Sequence, residues 1–293
     1  MRTLYEKVTM YDGERLQAAR FESDTSVKTK GIIQIIHGFG EHIGMYIELA
    51  SFFTAKGYCC VTHDQRGFGK MPEKTKAQVN LSRGVVPGYS YFLQDADTIR
   101  KAIKEWYPGI PIILYGHSMG GNIAINILRT QPNAYKKAIL EAPWLRLYKP
   151  PNRQTRFLAK RLGSINHKLA ITSKINIYDI TRDLETVNKI MRDRHYHNRI
   201  SLKLFTQITS AGERILKEEV KINTPTLLLC AGNDKIVCPE AIRTFARQAG
   251  ENVLLKDYPE GYHALRSDII KNDVLNDMLL FLSGAGSVLK FRT

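Results

Sequence analysis

Short apolar runs recur along the 293-residue chain, each stopped by polar residues, glycine or proline. GIIQIIHG (31–38), YCCVTHD (58–64), PIILYGHS (111–118), YKKAILEAP (135–143) and TPTLLLCAG (224–232) are continuous rather than alternating. Continuous runs of this length suit parallel strands buried on both faces. Ahead of them, VTMYDGERLQAARF reads as an antiparallel hairpin turning at Asp12-Gly13. Between the runs lie amphipathic stretches with helical spacing: Met45–Lys56, Tyr91–Trp106, Asn122–Thr130, Pro239–Ala249 and Asp268–Leu282. Strand and helix alternate, so the pattern predicts a doubly wound α/β sheet with an antiparallel start.

The alternation stops between Pro143 and Thr224. No strand-like run occurs there, and Lys149-Pro150-Pro151 marks a boundary. The expected organisation is a core domain of residues 1–143 and 222–293, carrying a helical cap at 144–221 over the C-terminal edge of the sheet. Within the insertion, Phe157, Leu158, Leu162 and Ile165 fall on one helical arc, with Arg153, Arg156 and Lys160 beside it. That arc is expected either to line a tunnel or to pack on the core.

Charge sharpens this picture. The chain carries +15, and residues 144–220 hold 16 Lys and Arg against 7 Asp and Glu, so the excess is concentrated in the insertion. No DNA- or RNA-reading motif accompanies the charge, and no nucleic-acid partner is expected. A basic amphipathic segment suits an anionic membrane surface; its plainer alternative is a solvated basic face. The N-terminal stretch lacks the apolar core and cleavage pattern of a signal peptide, and no run approaches the length of a membrane span. The expected location is cytoplasmic, with peripheral membrane contact through the insertion as the alternative to a solvated cap. The four cysteines, Cys59, Cys60, Cys230 and Cys238, show no metal-ligand spacing and are read as reduced thiols packed as small hydrophobes.

The candidate chemistry begins at Gly116-His117-Ser118-Met119-Gly120, a G-x-S-x-G motif. Chance alone supplies that pattern in about one chain in ten of this length. Its setting adds weight, because a strand precedes it and a helix follows, as a nucleophile elbow requires. Gly116 and Gly120 relieve the crowding of a strained turn that exposes Ser118. Such a serine needs an orienting acid and a base, and both follow it here at strand ends. Asp234 comes after TPTLLLC, and His263 after VLLKDYPEG. The oxyanion donors are expected to be the backbone N–H groups of Met119 and of Phe39, the latter in the HGFGEH loop. His117 is expected to point away from the serine, and His167, His195 and His197 to be solvated in the insertion.

Taken together, HGFGEH (37–42), DQRGFGK (64–70), GHSMGG (116–121), EAPWL (141–145), PTLLLCAGNDKIV (225–237) and EGYHALRSD (260–268) resemble the α/β-hydrolase superfamily. More narrowly, they are similar to its monoacylglycerol lipase and lysophospholipase branch, the serine aminopeptidase S33 group. The resemblance spans nearly the whole chain. It implies a mostly parallel eight-stranded sheet flanked by helices with a helical cap. It also implies a Ser118–His263–Asp234 triad, with Phe39 and Met119 at the oxyanion. Two positions depart from the family pattern: Asp193-Arg194-His195 stands where Asp-Pro-Leu is usual, and Phe39 where the mammalian lipases have a small residue. The implied activity is hydrolysis of single-chain lipid esters through an acyl-enzyme, with no cofactor or metal. The alternatives are a small-ester carboxylesterase, a proline-iminopeptidase-like peptidase, and a ligand-binding protein on a hydrolase scaffold.

Overall fold

A computed structural model describes residues 1–23, 28–70 and 82–284; positions 24–27, 71–81 and 285–293 of the expected core range lie outside the described residues. The opening hairpin forms from β1 (Arg2–Thr9) and β2 (Arg15–Glu22), paired antiparallel with Thr9 opposite Arg15. Four of the continuous apolar runs become β3 (Ile32–Ile36), β4 (Cys59–His63), β5 (Ile112–His117) and β6 (Lys137–Glu141). Apart from Lys137, every residue of these four strands is buried, which is why no polar alternation is visible in them. With β9 (Thr226–Ala231) and β10 (Val253–Tyr258) they complete an eight-stranded sheet ordered β1-β2-β4-β3-β5-β6-β9-β10. All pairings from β4 through β10 are parallel, and only those of β2 with its two neighbours are antiparallel.

Five helices flank the sheet: α1 (Ile47–Ala55), α2 (Ser90–Trp106), α3 (Met119–Thr130), α7 (Pro239–Gln248) and α8 (Lys271–Ser283). All five match the amphipathic stretches to within a few residues. α3 starts three residues earlier than its apolar spacing indicates, because its first turn contains Gly120 and Gly121, poor helix formers that hide the boundary. Only Ser118 separates β5 from α3. Buried side chains from both layers join one core containing Phe21, Phe53, Phe92, Ile99, Tyr115 and Phe245. Each fully buried large apolar side chain contributes about 1.5–3 kcal/mol.

Between β6 and β9 the chain adds no strand to the main sheet. It holds α4 (Arg153–Ile165), α5 (Leu184–Arg192) and α6 (Leu202–Lys217). It also holds a two-stranded ribbon of β7 (Ala170–Thr172) and β8 (Arg199–Ser201), which the hydrophobic pattern misses because each strand is three residues long. The larger correction concerns α4. Its apolar arc neither lines a tunnel nor packs on the core: Phe157, Leu158, Leu162 and Ile165 are 62, 57, 39 and 83% exposed. The buried residues of α4 are Ala159 and Gly163. Gly163 lies so close to α6 that an added Cβ would meet the Lys203 backbone nitrogen at 2.6 Å. Large side chains do not fit between two backbones at that separation, so the small residues face inward and the bulky ones outward.

The contact makes a stability prediction. Gly163→Ala overpacks the α4–α6 seam at a cost of about 1–3 kcal/mol, which corresponds to a fall in Tm of several degrees. A circular-dichroism melt checks it, and an unchanged Tm contradicts the close approach.

Candidate active site

Ser118 occupies a backbone conformation, φ 53° and ψ −114°, that side-chain-bearing residues rarely adopt. Its surroundings hold it there. The Ser118 N–H donates to the Glu141 carbonyl at the end of β6 (2.9 Å), and its own carbonyl accepts from the N–H groups of Asn122 (3.1 Å) and Trp144 (2.9 Å). The two flanking glycines are required by close approach: a Cβ on Gly120 would collide with the Ile36 carbonyl, and one on Gly116 with the Gly120 carbonyl. The elbow is therefore pressed against the end of β3, the strand that leads into HGFGEH.

Asp234 and His263 lie in the loops after β9 and β10. His263 Nδ1 is 2.6 Å from Asp234 Oδ2, while Asp234 Oδ1 accepts from the N–H groups of Ile236 (2.7 Å) and Val237 (2.9 Å). With Nδ1–H donated to the carboxylate, Nε2 is the free basic nitrogen. Burial by itself would lower the His263 pKa. The charge and hydrogen bond of Asp234, helped by Glu41 and Glu141, instead carry it above the usual 6.5. Ser118 and His263 line one cavity of about 730 Å³ together with Phe39, Glu41, His117 and a mostly apolar wall that includes Met45, Trp144, Ile180, Leu202 and Phe205. That volume is in the range of small-molecule sites.

The amides of Phe39 and Met119 fit the donor role. Met119 is the first residue of α3, so its N–H is one of the first-turn amides that have no acceptor within the helix. Around Phe39, the Gly38 N–H donates to Glu41 and the Glu41 N–H to the Gly38 carbonyl, while the Phe39 N–H reaches no acceptor among the described residues. A buried amide left without a partner needs an explanation, and an oxyanion is one. The Phe39 ring packs edge-on against Phe68 (5.8 Å between centroids) at the cavity wall.

One histidine expectation is corrected, that for His197. His117 turns toward His263, with ring centroids 4.9 Å apart, Nδ1 at 3.2 Å from Glu41 Oε2 and Nε2 at 3.3 Å from the His263 carbonyl. His197 is buried, stacked on Phe68 with Nε2 at 3.0 Å from the Gly67 carbonyl, and its N–H donates to the Gly40 carbonyl. The departing stretch at 193–195 meets the same loop, because His42 Nε2 lies 2.7 Å from Asp193 Oδ2. Sequence reasoning missed Glu41, Glu141 and Arg266, which form a buried charge cluster under the site. Their only signal was position inside quoted motifs, since a charge in a motif reads equally well as a solvated one.

A family model described as serine aminopeptidase, S33, matches residues 27–269. The chain belongs to the serine aminopeptidase S33 family. A monoglyceride lipase homolog of Monkeypox virus is 30% identical over 252 residues, covering 85% of this chain and 88% of that one. A phospholipase of Bacillus subtilis is 27% identical over 246 residues, covering 83% and 91%. The crystal structure of the Paleococcus ferrophilus monoacylglycerol lipase superposes with a TM-score of 0.81 at 25% identity, covering 92% of this chain and 99% of that one. The sheet is that of the α/β-hydrolase fold, and this S33-family chain is a hydrolase.

The Asp234–His263 pair makes a titration prediction. The folded-state pKa of His263 lies above the unfolded value, so the pair adds stability that is fully present below about pH 6.5 and is lost as pH rises through the raised value. Asp234→Asn is expected to bring the His263 titration, followed by the NMR shifts of its ring protons, down below that of the wild type. An unmoved titration contradicts the pairing.

Proposed function

We propose that this ester hydrolase cleaves single-chain lipid esters, such as monoacylglycerols or lysophospholipids, through an acyl-enzyme on Ser118, with residues 144–221 serving as a cap over the site. The observation that carries the reading is the elbow serine and the Asp234-held histidine on the wall of one largely apolar cavity. His263 Nε2 takes the Ser118 hydroxyl proton as Oγ attacks the acyl carbonyl. The amides of Phe39 and Met119 stabilise the oxyanion, a contribution of about 3–4 kcal/mol per donor in such sites. His263 then protonates the leaving alkoxide, and water activated by the same nitrogen releases the fatty acid. The lipase and phospholipase names of the relatives support this substrate class.

The cavity also argues against an aminopeptidase. A free amino terminus calls for an unpaired carboxylate. Of the two acidic residues on the wall, Glu41 is bridged to Arg266 at 2.6 Å, and Asp179 is outnumbered on that wall by Lys149, Lys174 and Lys235, a balance unfavourable to an ammonium group. Hydrolysis of a monoacylglycerol, a lysophosphatidylcholine, a p-nitrophenyl ester and a prolyl amide, each compared with Ser118→Ala, tests the reading. We expect ester cleavage that is lost in the variant. Activity surviving the substitution overturns the mechanism, and cleavage of the amide alone overturns the lipid assignment.

The outward face of α4 gives the cap a second role, docking on an anionic lipid surface. Phe157, Leu158, Leu162 and Ile165 project from it among Arg153, Lys160 and Arg161, while Thr155 and Ala159 of the same helix line the cavity. An exposed apolar face rimmed by cations fits the headgroup boundary of such a membrane. Among the described residues no helix is long and apolar enough to cross one. In sedimentation with phosphatidylglycerol vesicles, Phe157→Ser/Ile165→Ser is expected to bind at least about tenfold more weakly, with hydrolysis of a dispersed short ester unchanged. Equal binding by variant and wild type contradicts docking through α4.

A further inference from the structure

Beneath the cavity, Arg266 bridges two carboxylates that belong to different elements. Its guanidinium donates to Glu41 Oε1 at 2.6 Å and lies 3.4 Å from Glu141 Oε2, and its backbone N–H donates to Glu141 Oε1 at 2.9 Å. All three residues are buried. Glu41 sits in the loop after β3, Glu141 ends β6 beside the elbow, and Arg266 follows His263 by three residues. The guanidinium also lies 4.4 Å over the Tyr46 ring, and Tyr115 donates to Glu141.

Glu41 is the more telling partner. Its Oε2 accepts from the Gly38 N–H (2.6 Å) and the Tyr46 hydroxyl (2.5 Å), and faces His117 Nδ1 (3.2 Å). Burial would raise its pKa, but Arg266, His117 and Tyr46 hold it well below the usual carboxylate value, so the group is charged. The carboxylate holds the Gly38 N–H, and the Glu41 backbone N–H donates to the Gly38 carbonyl, the oxygen of the peptide that carries the Phe39 N–H; Glu41 thus holds both peptides that set the direction of the Phe39 amide. Burial holds the His117 pKa down to about 4, so the ring is neutral near pH 7. It then carries one N–H, which serves either the Glu41 carboxylate at Nδ1 or the His263 carbonyl at Nε2 but not both, so the link between the two loops runs through Arg266. The loop of the oxyanion donor and the loop of the base are thus tied through one charge cluster.

We propose that the Glu41–Arg266–Glu141 bridge is the positioning device of this site, fixing the Phe39 amide and the His263 imidazole relative to each other. The assignment rests on the serine-hydrolase reading above. A buried ion cluster is a poor way to add stability, because well-packed apolar residues do as well or better. Directional bonds to a guanidinium fork instead specify geometry. Misplacing reacting groups by about an ångström costs on the order of 100-fold in rate.

The test uses the whole chain and a soluble p-nitrophenyl ester, with kcat expressed per Ser118 that labels to completion with a fluorophosphonate. Glu41→Gln and Arg266→Met are each expected to lower kcat by about 10- to 100-fold, with KM changed by less than about twofold. The double variant loses little more than either alone, because the two act as one unit. The groups facing His263 are Asp234, Glu41, Glu141, His117 and Arg266. Removing the Glu41 charge therefore lets His263 lose its proton more easily, and the acid limb of the kcat/KM profile moves to lower pH. Arg266→Lys, which keeps the charge but not the fork, recovers part of the loss. Should the charge variants fail to fold, Tyr46→Phe removes one donor to Glu41 at constant shape and is expected to cost about fivefold in kcat. Variants with wild-type kcat per labelled serine and an unmoved acid limb overturn the proposal, even if their Tm falls. Undiminished activity of Ser118→Ala overturns the serine mechanism instead, so the two failures are distinguishable.

Discussion

The backbone turn at Ser118 is the constraint on which the rest of the site depends. A residue with a Cβ holds φ 53°, ψ −114° only when its neighbours over-determine that conformation. Here β6 supplies an acceptor for its N–H, the segment after β6 supplies a donor to its carbonyl, and the end of β3 presses against Gly120. Those contacts come from the two strands flanking β5. The elbow can form only in the middle of the sheet, with both neighbours in register: Ile36 lies opposite Gly116, and Glu141 opposite His117. Strand order, burial and the strained serine are therefore aspects of one arrangement. Its outcome is that the loops after β3, β5, β6, β9 and β10 all meet at the same sheet edge, where sites gather in open α/β folds.

Much of this is legible in the sequence because it is local. Five apolar runs locate β3 to β6 and β9, since doubly buried strands leave no polar alternation. The order of Ser118, Asp234 and His263 at strand ends brings Ser118 and His263 to one cavity and sets Asp234 against His263. What escaped is what depends on packing between distant segments. The outward face of α4 follows from the small residues Ala159 and Gly163 meeting α6, a contact that no helical periodicity encodes. The Glu41–Arg266 pair spans 225 positions, and His197 is buried where it stacks on Phe68 and meets Gly67 and Gly40. A three-residue ribbon such as β7–β8 is too short to leave a pattern at all.

The insertion ties chemistry to substrate in two places. Through Asp193 and His197 it holds the loop that carries Phe39, so the amide we propose as an oxyanion donor is braced from above as well as from the charge cluster below. Through α4 it presents one face to the cavity and the opposite face to the surroundings. In the account proposed here, a lipid monomer passes from a surface to the serine along a single helix. On that proposal the excess of Lys and Arg in this quarter of the chain, which has no bearing on Ser118, Asp234 or His263, has a physical use in holding the enzyme at a lipid surface.

The most direct measurement is on the covalent intermediate itself. Rapid mixing with a p-nitrophenyl ester, acid quenching and intact-protein mass spectrometry should reveal one added acyl group during turnover. Peptide mapping should assign it to Ser118, and His263→Ala should fail to accumulate it. Turnover at the wild-type rate with no acylated Ser118, or with the acyl group on another residue, would contradict the account at its centre.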